Sequence, residues 1–235
     1  MIDELAELPI ERFSLFNNNE PLLDTRMIDF ICYARKKMPA VRFTLSSNGK
    51  ILTKELITVA ITSGIDRFFI SIPTLDPDAY EKIMGAKLNK VLDTLFSVPM
   101  ELRQNIRVAV PKTNYYDPEQ FQEILGEAGI KSIAWDMEAN SDWDELKAIK
   151  EIAILHYNIG CDRPLDQAII SANGDVLICC RDWHHDNCVG NVQVDTLTDI
   201  WKGEKMKELQ KKMIDGRYEE IQMCRNCSRV NDLGE

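Results

Sequence analysis

The 235-residue sequence contains no apolar run approaching the roughly 18–20 residues of a membrane-crossing helix. It also lacks an excess of basic charge: 28 lysines and arginines face 38 aspartates and glutamates, a net charge of −10. Sequence-independent nucleic-acid binding needs lysine and arginine to displace counterions, so the charge balance argues against that class. The one short basic stretch, Arg35 to Lys37, is the polar end of a predicted helix. No secretory-leader pattern opens the chain, since Asp3 and Glu4 stand where a leader is basic. No internal repeat or low-complexity tract occurs, and 45% hydrophobic residues suffice for a sizeable core. Complete disulfide pairing is impossible because the seven cysteines are odd in number. A leaderless chain of this kind is expected in a reducing cytoplasm, with its cysteines in metal or redox use.

Four of those cysteines form a pattern. Cys161 stands alone, Cys179 follows Gly174 as G-x4-C, and Cys224 and Cys227 form C-x-x-C. One tight pair with two distant members is metal-site spacing, and soft thiolates suit either an iron–sulfur cluster or zinc. Spacing alone leaves both open. Cys180 is expected on the opposite face of the strand from Cys179, as a buried thiol. Cys188 is expected as a spare thiol in a loop, and Cys32 in a helix core. His184 and His185 form a loop pair at the rim, with metal binding or a proton relay as the sharper alternative; His156 is expected to be structural, and Trp201 to pack in a small core.

Residues 10 to 136 alternate strand and helix signals. Strands are expected at 13–16, 41–45, 67–72, 106–110 and 131–135. Between them lie helices opened by Asp24, Thr53, Asp76-Pro77 and Asp117-Pro118, one more near 88–98, and stops at Gly64, Gly85 and Gly129. Such alternation predicts βα units and a parallel sheet. After about 155 the character changes to a small β-hairpin turning at Asn173-Gly174, a helix with Leu197, Ile200 and Trp201, and the C-x-x-C. The expected domains are 1–155 and 156–235.

Ligands of parallel α/β sheets bind beyond the carboxyl ends of the strands. Those ends read Asn17 to Pro21, Ser46 to Gly49, Ser71 to Thr74, Pro111 to Asn114 and Asp136 to Asn140, all small and polar. They offer amides, hydroxyls and acids to a hydrogen-bonding, amine-bearing ligand.

These residues resemble the radical S-adenosylmethionine (SAM) enzymes. Glu20-Pro21 is similar to the end of that family's G-G-E-P motif, with Asn18 and Asn19 in place of the glycines. Ser47-Asn48-Gly49 resembles its T-N-G, and Ile70 to Ile72 its serine-bearing ribose strand. Cys161, G-x4-C, Val189-Gly190-Asn191-Val192, the Leu197–Trp201 helix and C-x-x-C resemble the SPASM domain that follows many such enzymes. Two features depart from the pattern. The family's C-x3-C-x2-C is absent, and Leu233 occupies the position of a further cysteine, as in the shortened "twitch" version. The resemblance therefore implies an α/β fold: a partial (β/α) barrel lacking its first βα unit, followed by a small cysteine-rich SPASM/twitch domain. A fragment of a longer reading frame is the favoured explanation.

By position, the resemblance assigns Glu20 to the amino group of SAM, with Asn19 assisting. Ser47, Asn48 and Ser71 would face its carboxylate or ribose, while Asn114 and Glu138 are weaker candidates. Cys161, Cys179, Cys224 and Cys227 would hold one auxiliary [4Fe–4S] cluster. No side chain is named as the hydrogen-abstracting group, because in the family that is the cofactor's radical. The implied activity is a SAM-dependent oxidoreductase acting on a peptide or small polar metabolite, served by a reductant such as flavodoxin or ferredoxin, with no nucleic-acid or membrane partner. This chain alone is not expected to cleave SAM. Two rival readings stand beside it. One is a non-catalytic binding or electron-relay module with a structural zinc or single iron–sulfur site; the other is a plain ligand-binding α/β protein with incidental cysteines.

Overall fold

The structure, a computed structural model, describes residues 1–135 and 160–230. They divide into two compact units, the first spanning Ile2–Trp135 and the second lying after it. The domain boundary expected near 155, Glu138, Asn140 and His156 lie outside the described residues.

The first unit is built on five parallel strands: β1 (Arg12–Ser14), β2 (Arg42–Ser47), β3 (Arg67–Ser71), β4 (Ile106–Pro111) and β5 (Lys131–Trp135). Their order is β1-β2-β3-β4-β5. Each parallel neighbour needs a crossover, and helices supply it: α2 (Met27–Lys37), α3 (Lys54–Thr62), α4 (Pro77–Met84), α5 (Leu88–Ser97) and α7 (Pro118–Gly126). Two short helices, α1 (Ile2–Leu5) and α6 (Met100–Arg103), complete the unit. A doubly wound sheet reverses its strand order at a switch point. Sequential order without reversal is that of a (β/α) barrel, here a partial one.

The register aligns the core. Phe43, Leu45, Phe68, Ile70, Ile106 and Val108 are fully buried, and pairing of Leu45 with Phe68, Phe68 with Ile106 and Ile70 with Val108 puts them on one face. Each fully buried side chain of this size contributes about 1.5–3 kcal/mol. In α5 the spacing of Leu88, Val91 and Leu95 forms the buried stripe, so Leu95→Ala should cost about 2–5 kcal/mol.

Helix starts follow local chemistry. Asp76 accepts the Ala79 N–H at 2.7 Å, Thr53 that of Leu56 at 3.2 Å, and Asp117 those of Glu119 and Gln120. The expected cap at Asp24 is different. Its carboxylate takes the Arg26 N–H and guanidinium, so α2 starts at Met27 without a side-chain cap. Cys32 is also a correction: it is exposed. The buried positions of this segment are Ile31, Ala34 and Met38, and one residue along a helix turns about 100° away from that stripe.

The second unit holds a three-stranded antiparallel sheet: β6 (Ile169–Ile170), β7 (Asp175–Leu177) and β8 (Cys188–Asn191). The expected hairpin is there, closed by the Gly174 N–H on the Ser171 carbonyl, with Gly174 at φ +86 where a side chain would be strained. Cys188, expected in a loop, begins β8, and its thiol donates to the Gly190 carbonyl at 3.2 Å. Among the described residues, helices α8 (Arg163–Asp166), α9 (Leu197–Lys202), α10 (Glu204–Ile214) and α11 (Gln222–Arg225) accompany the sheet. Leu197 and Ile200 of α9 are buried, whereas Trp201, expected in the core, is half-buried. No helix among the described residues is long and apolar enough to cross a membrane.

Candidate functional site

In the second unit a backbone bond from the Gly160 N–H to the Arg229 carbonyl, 2.8 Å, ties together the two ends of its described stretch. It carries Cys161 to the segment that holds Cys224 and Cys227. That segment turns tightly: the Cys227 N–H bonds the Cys224 carbonyl, and the Val230 N–H the Cys227 carbonyl. Cys179 follows β7. As a result Cys161, Cys179, Cys224 and Cys227 line a single cavity of about 20 Å³, walled by Ile178, Met223 and Val230 and flanked by Arg163 and Arg181.

Burial pushes the Cys161 thiol up. Burial, followed by the charges of Cys227, Cys161 and Cys179, pushes Cys224 up to about 12. A hydrogen bond with Cys180, then burial, raises Cys179. The other three sulfurs disfavour the Cys224 thiolate and Cys179 that of Cys161, so positive charge at the centre would let the set ionise together. The donor chemistry fits a metal centre: four soft sulfurs, with no carboxylate among the described lining residues. Among the described residues no three Cys, His, Asp or Glu side chains are grouped closely enough to share one metal ion.

Cys180 is a further correction. Because β7 ends at Leu177, Cys179 and Cys180 sit in a turn closed by the Asp182 N–H on the Cys179 carbonyl. Strand alternation does not apply there, and the half-buried Cys180 thiol bonds Cys179 instead of facing away. Two neighbours escaped the sequence reading. Arg163 Nη1 approaches Cys179 Sγ at 3.9 Å. Asp182, buried, accepts the N–H groups of Asp186 and Asn187 and raises Cys224. Adjacency of Asp182 to the Cys179-Cys180 pair was the available signal, but only folding brings it near Cys224. His184 is exposed. His185, at φ 61, places Nδ1 at 2.8 Å from Asp175.

In the first unit Glu20 opens a 3-10 turn, Pro21–Leu23, just beyond β1. Its carboxylate accepts the Asn48 N–H at 2.7 Å, the Ser47 hydroxyl at 3.1 Å and the Leu22 N–H at 3.4 Å. Ser47 is buried and also accepts the Gly49 N–H at 3.1 Å. Glu20, Ser47 and Asn48 therefore form one polar cluster at the carboxyl ends of β1 and β2. Ser71 ends β3, one residue beyond Ile70, the register partner of Ser47. Asn19 is exposed and accepts the Asn17 N–H, outside the Glu20 cluster. Asn114 is exposed beyond β4.

Comparison with known proteins bears on both units. Residues 161–228 match the SPASM iron-sulfur cluster-binding domain. The S-adenosyl-L-methionine-dependent 2-deoxy-scyllo-inosamine dehydrogenase of Niallia circulans is 23% identical over 234 residues, covering 98% of this chain and 78% of that protein. The crystal structure of BtrN in complex with AdoMet and 2-DOIA aligns at a TM-score of 0.69 and 19% identity, over 100% of this chain and 79% of that one. Streptococcus suis SuiB bound to S-adenosylmethionine aligns at 0.61 and 16% identity, over 85% of this chain and 56% of that one. The chain thus has the radical SAM fold, and its C-terminal part carries a SPASM iron–sulfur cluster-binding domain.

Proposed function

We propose that this chain belongs to a SAM-dependent oxidoreductase whose auxiliary [4Fe–4S] cluster is held by Cys161, Cys179, Cys224 and Cys227. The observation that carries the reading is the single cavity lined by all four sulfurs. A mononuclear zinc needs four donors at about 2.0–2.3 Å from one point, whereas a cubane spreads its thiolates over four irons. The match of residues 161–228 to an iron-sulfur cluster-binding domain supports the cubane over zinc. Bound there, the cluster supplies a one-electron acceptor or a substrate ligand. The protein's own part is to exclude water with Ile178, Met223 and Val230 and to set positive charge beside Cys179 through Arg163.

Glu20, with Ser47, Asn48, Ser71 and Asn19, is the proposed SAM-binding set, the Glu20 carboxylate receiving the amino group. The substrate is a small polar metabolite in preference to a peptide. Likeness along 98% of the chain to a dehydrogenase of 2-deoxy-scyllo-inosamine supports that choice. Because the sequence contains no C-x3-C-x2-C, the chain by itself does not cleave SAM. Anaerobic reconstitution tests the reading. It predicts brown protein with about four irons and four sulfides per chain, and near-complete loss of iron in Cys224→Ala with Cys227→Ala. It also predicts no 5′-deoxyadenosine from dithionite and SAM. Colourless protein with one bound zinc would establish the structural-module reading instead.

A further inference from the structure

Four of the five strands of the first unit begin with a cation: Arg12, Arg42, Arg67 and Lys131. β4 carries Arg107 at its second position. The register puts all five on one face. Arg12 pairs with Arg42, Thr44 with Arg67, Phe69 with Arg107, and Arg107 with Lys131. Laterally paired residues share a face, as do residues two apart in a strand, such as Arg42 with Thr44 and Arg67 with Phe69. This face is opposite the one that buries Phe68 and Ile70. The cations lie at the amino ends of the strands, the opposite edge of the sheet from Glu20, Ser47 and Ser71.

In a chain of net charge −10 such a row is out of keeping with the rest of the sequence. Arg67, Arg107 and Lys131 line a cavity of about 320 Å³ together with Gln104, Asn105 and Gly129, and among the described residues no carboxylate lines it. Among the described residues no ion pair reaches any of the five cations. The adjacent acid, Asp66, is committed elsewhere, to Arg35 and the Phe43 N–H. Arg67 donates through Nη1 to the Asp66 carbonyl, and Arg107 through Nη1 to the carbonyls of Gln104 and Ile106. The remaining guanidinium N–H groups stay available to a ligand. Partial burial and the Arg67 charge both disfavour the charged form of Arg107, a conflict that an anion would relieve.

We propose that Arg67, Arg107 and Lys131 form a phosphate-binding site, with two guanidinium forks and an ammonium matching a doubly charged tetrahedral oxyanion. The cavity has the volume of a small-ligand site, so the phosphate is either the free ion or the head of a phosphorylated small molecule whose remainder contacts Gln104 and Asn105. This site is independent of the thiol centre and of the Glu20 loop.

Thermal melting of the full chain tests it, with inorganic phosphate and glycerol phosphate as probes and chloride at matched ionic strength as control. The midpoint should rise saturably with either phosphate and not with chloride. Arg67→Gln and Arg107→Gln should each weaken the response roughly tenfold or more, while melting no lower than the parent in phosphate-free buffer, since a like charge has been removed. Arg12→Gln, the same change of net charge outside the cavity, should keep the response. If either arginine variant does not fold, Lys131→Gln followed by phosphorus NMR line broadening reads the same site. Tighter binding of glycerol phosphate assigns the small molecule, and tighter binding of inorganic phosphate the free ion. A parent that answers phosphate no more than chloride overturns the site. So does a response that survives in both arginine variants, or one lost equally in Arg12→Gln.

Discussion

Glu20 reaches across from the loop after β1 to accept the Asn48 N–H at 2.7 Å at the end of β2. With the Ser47 hydroxyl on the same oxygen, this carboxylate joins two loops that the sequence separates by more than a full helix.

That link has a measurable energy. A hydrogen bond to a charged acceptor is worth about 1.5–3 kcal/mol. Glu20→Ala should lower the urea-unfolding free energy by about that amount and abolish SAM binding in titration calorimetry. Asn19→Ala, at an exposed position outside the cluster, should change stability by less than about 0.5 kcal/mol. Equal losses of stability in the two variants would contradict the Glu20 link between the two loops.

Gly190 of β8 lies against Ile200 of α9 so closely that an added Cβ would stand 2.8 Å from Ile200 Cγ1 and 2.9 Å from Cγ2. Isoleucine is stiff about χ1 and this one is buried, so it cannot swing clear. Gly190→Ala should cost about 1–3 kcal/mol by overpacking. Combining it with Ile200→Ala should recover part of that cost, a coupling that a double-mutant cycle in denaturant would measure.

The Asp175 carboxylate is held down to about 2 from an ordinary 3.8, by His185 first, then Asn191 and Asn173. A depressed folded-state value means a contribution fully present above the unfolded value and lost as the pH falls through the folded one. The stability difference between the parent and Asp175→Asn should therefore shrink as the pH falls between about 4 and 2. His185→Gln should move the carboxylate titration upward, observable by carbon NMR. A difference that grows on acidification would contradict this pairing.

Thiol reactivity should follow exposure and ionisation. In metal-free protein Cys32, exposed on α2, should alkylate first. Cys179 and Cys224, both raised well above the ordinary thiol range, should react last under native conditions. Peptide mass spectrometry after a brief iodoacetamide pulse gives the order directly.

Sequence alone determined what depends on near neighbours. Thr53, Asp76 and Asp117 open helices because their side chains reach N–H groups only two or three residues on. The alternation of strand and helix signals implied a parallel sheet, since parallel strands require long crossovers. Gly174 marked the hairpin, because a turn with positive φ demands it. Cysteine spacing picked out the four positions that now line one cavity. Tertiary structure decided what depends on distant partners. The helix phase that turns Cys32 outward is set by where Ile31 and Ala34 bury. A third strand starts at Cys188 only because β7 offers it an edge. Cys180 faces Cys179 because the strand stops at Leu177. The cations of five strands share one face through lateral register, which no short-range pattern encodes. Local signals act through covalent reach and survive in one dimension; register, helix phase and charge proximity arise from packing between segments far apart in the chain.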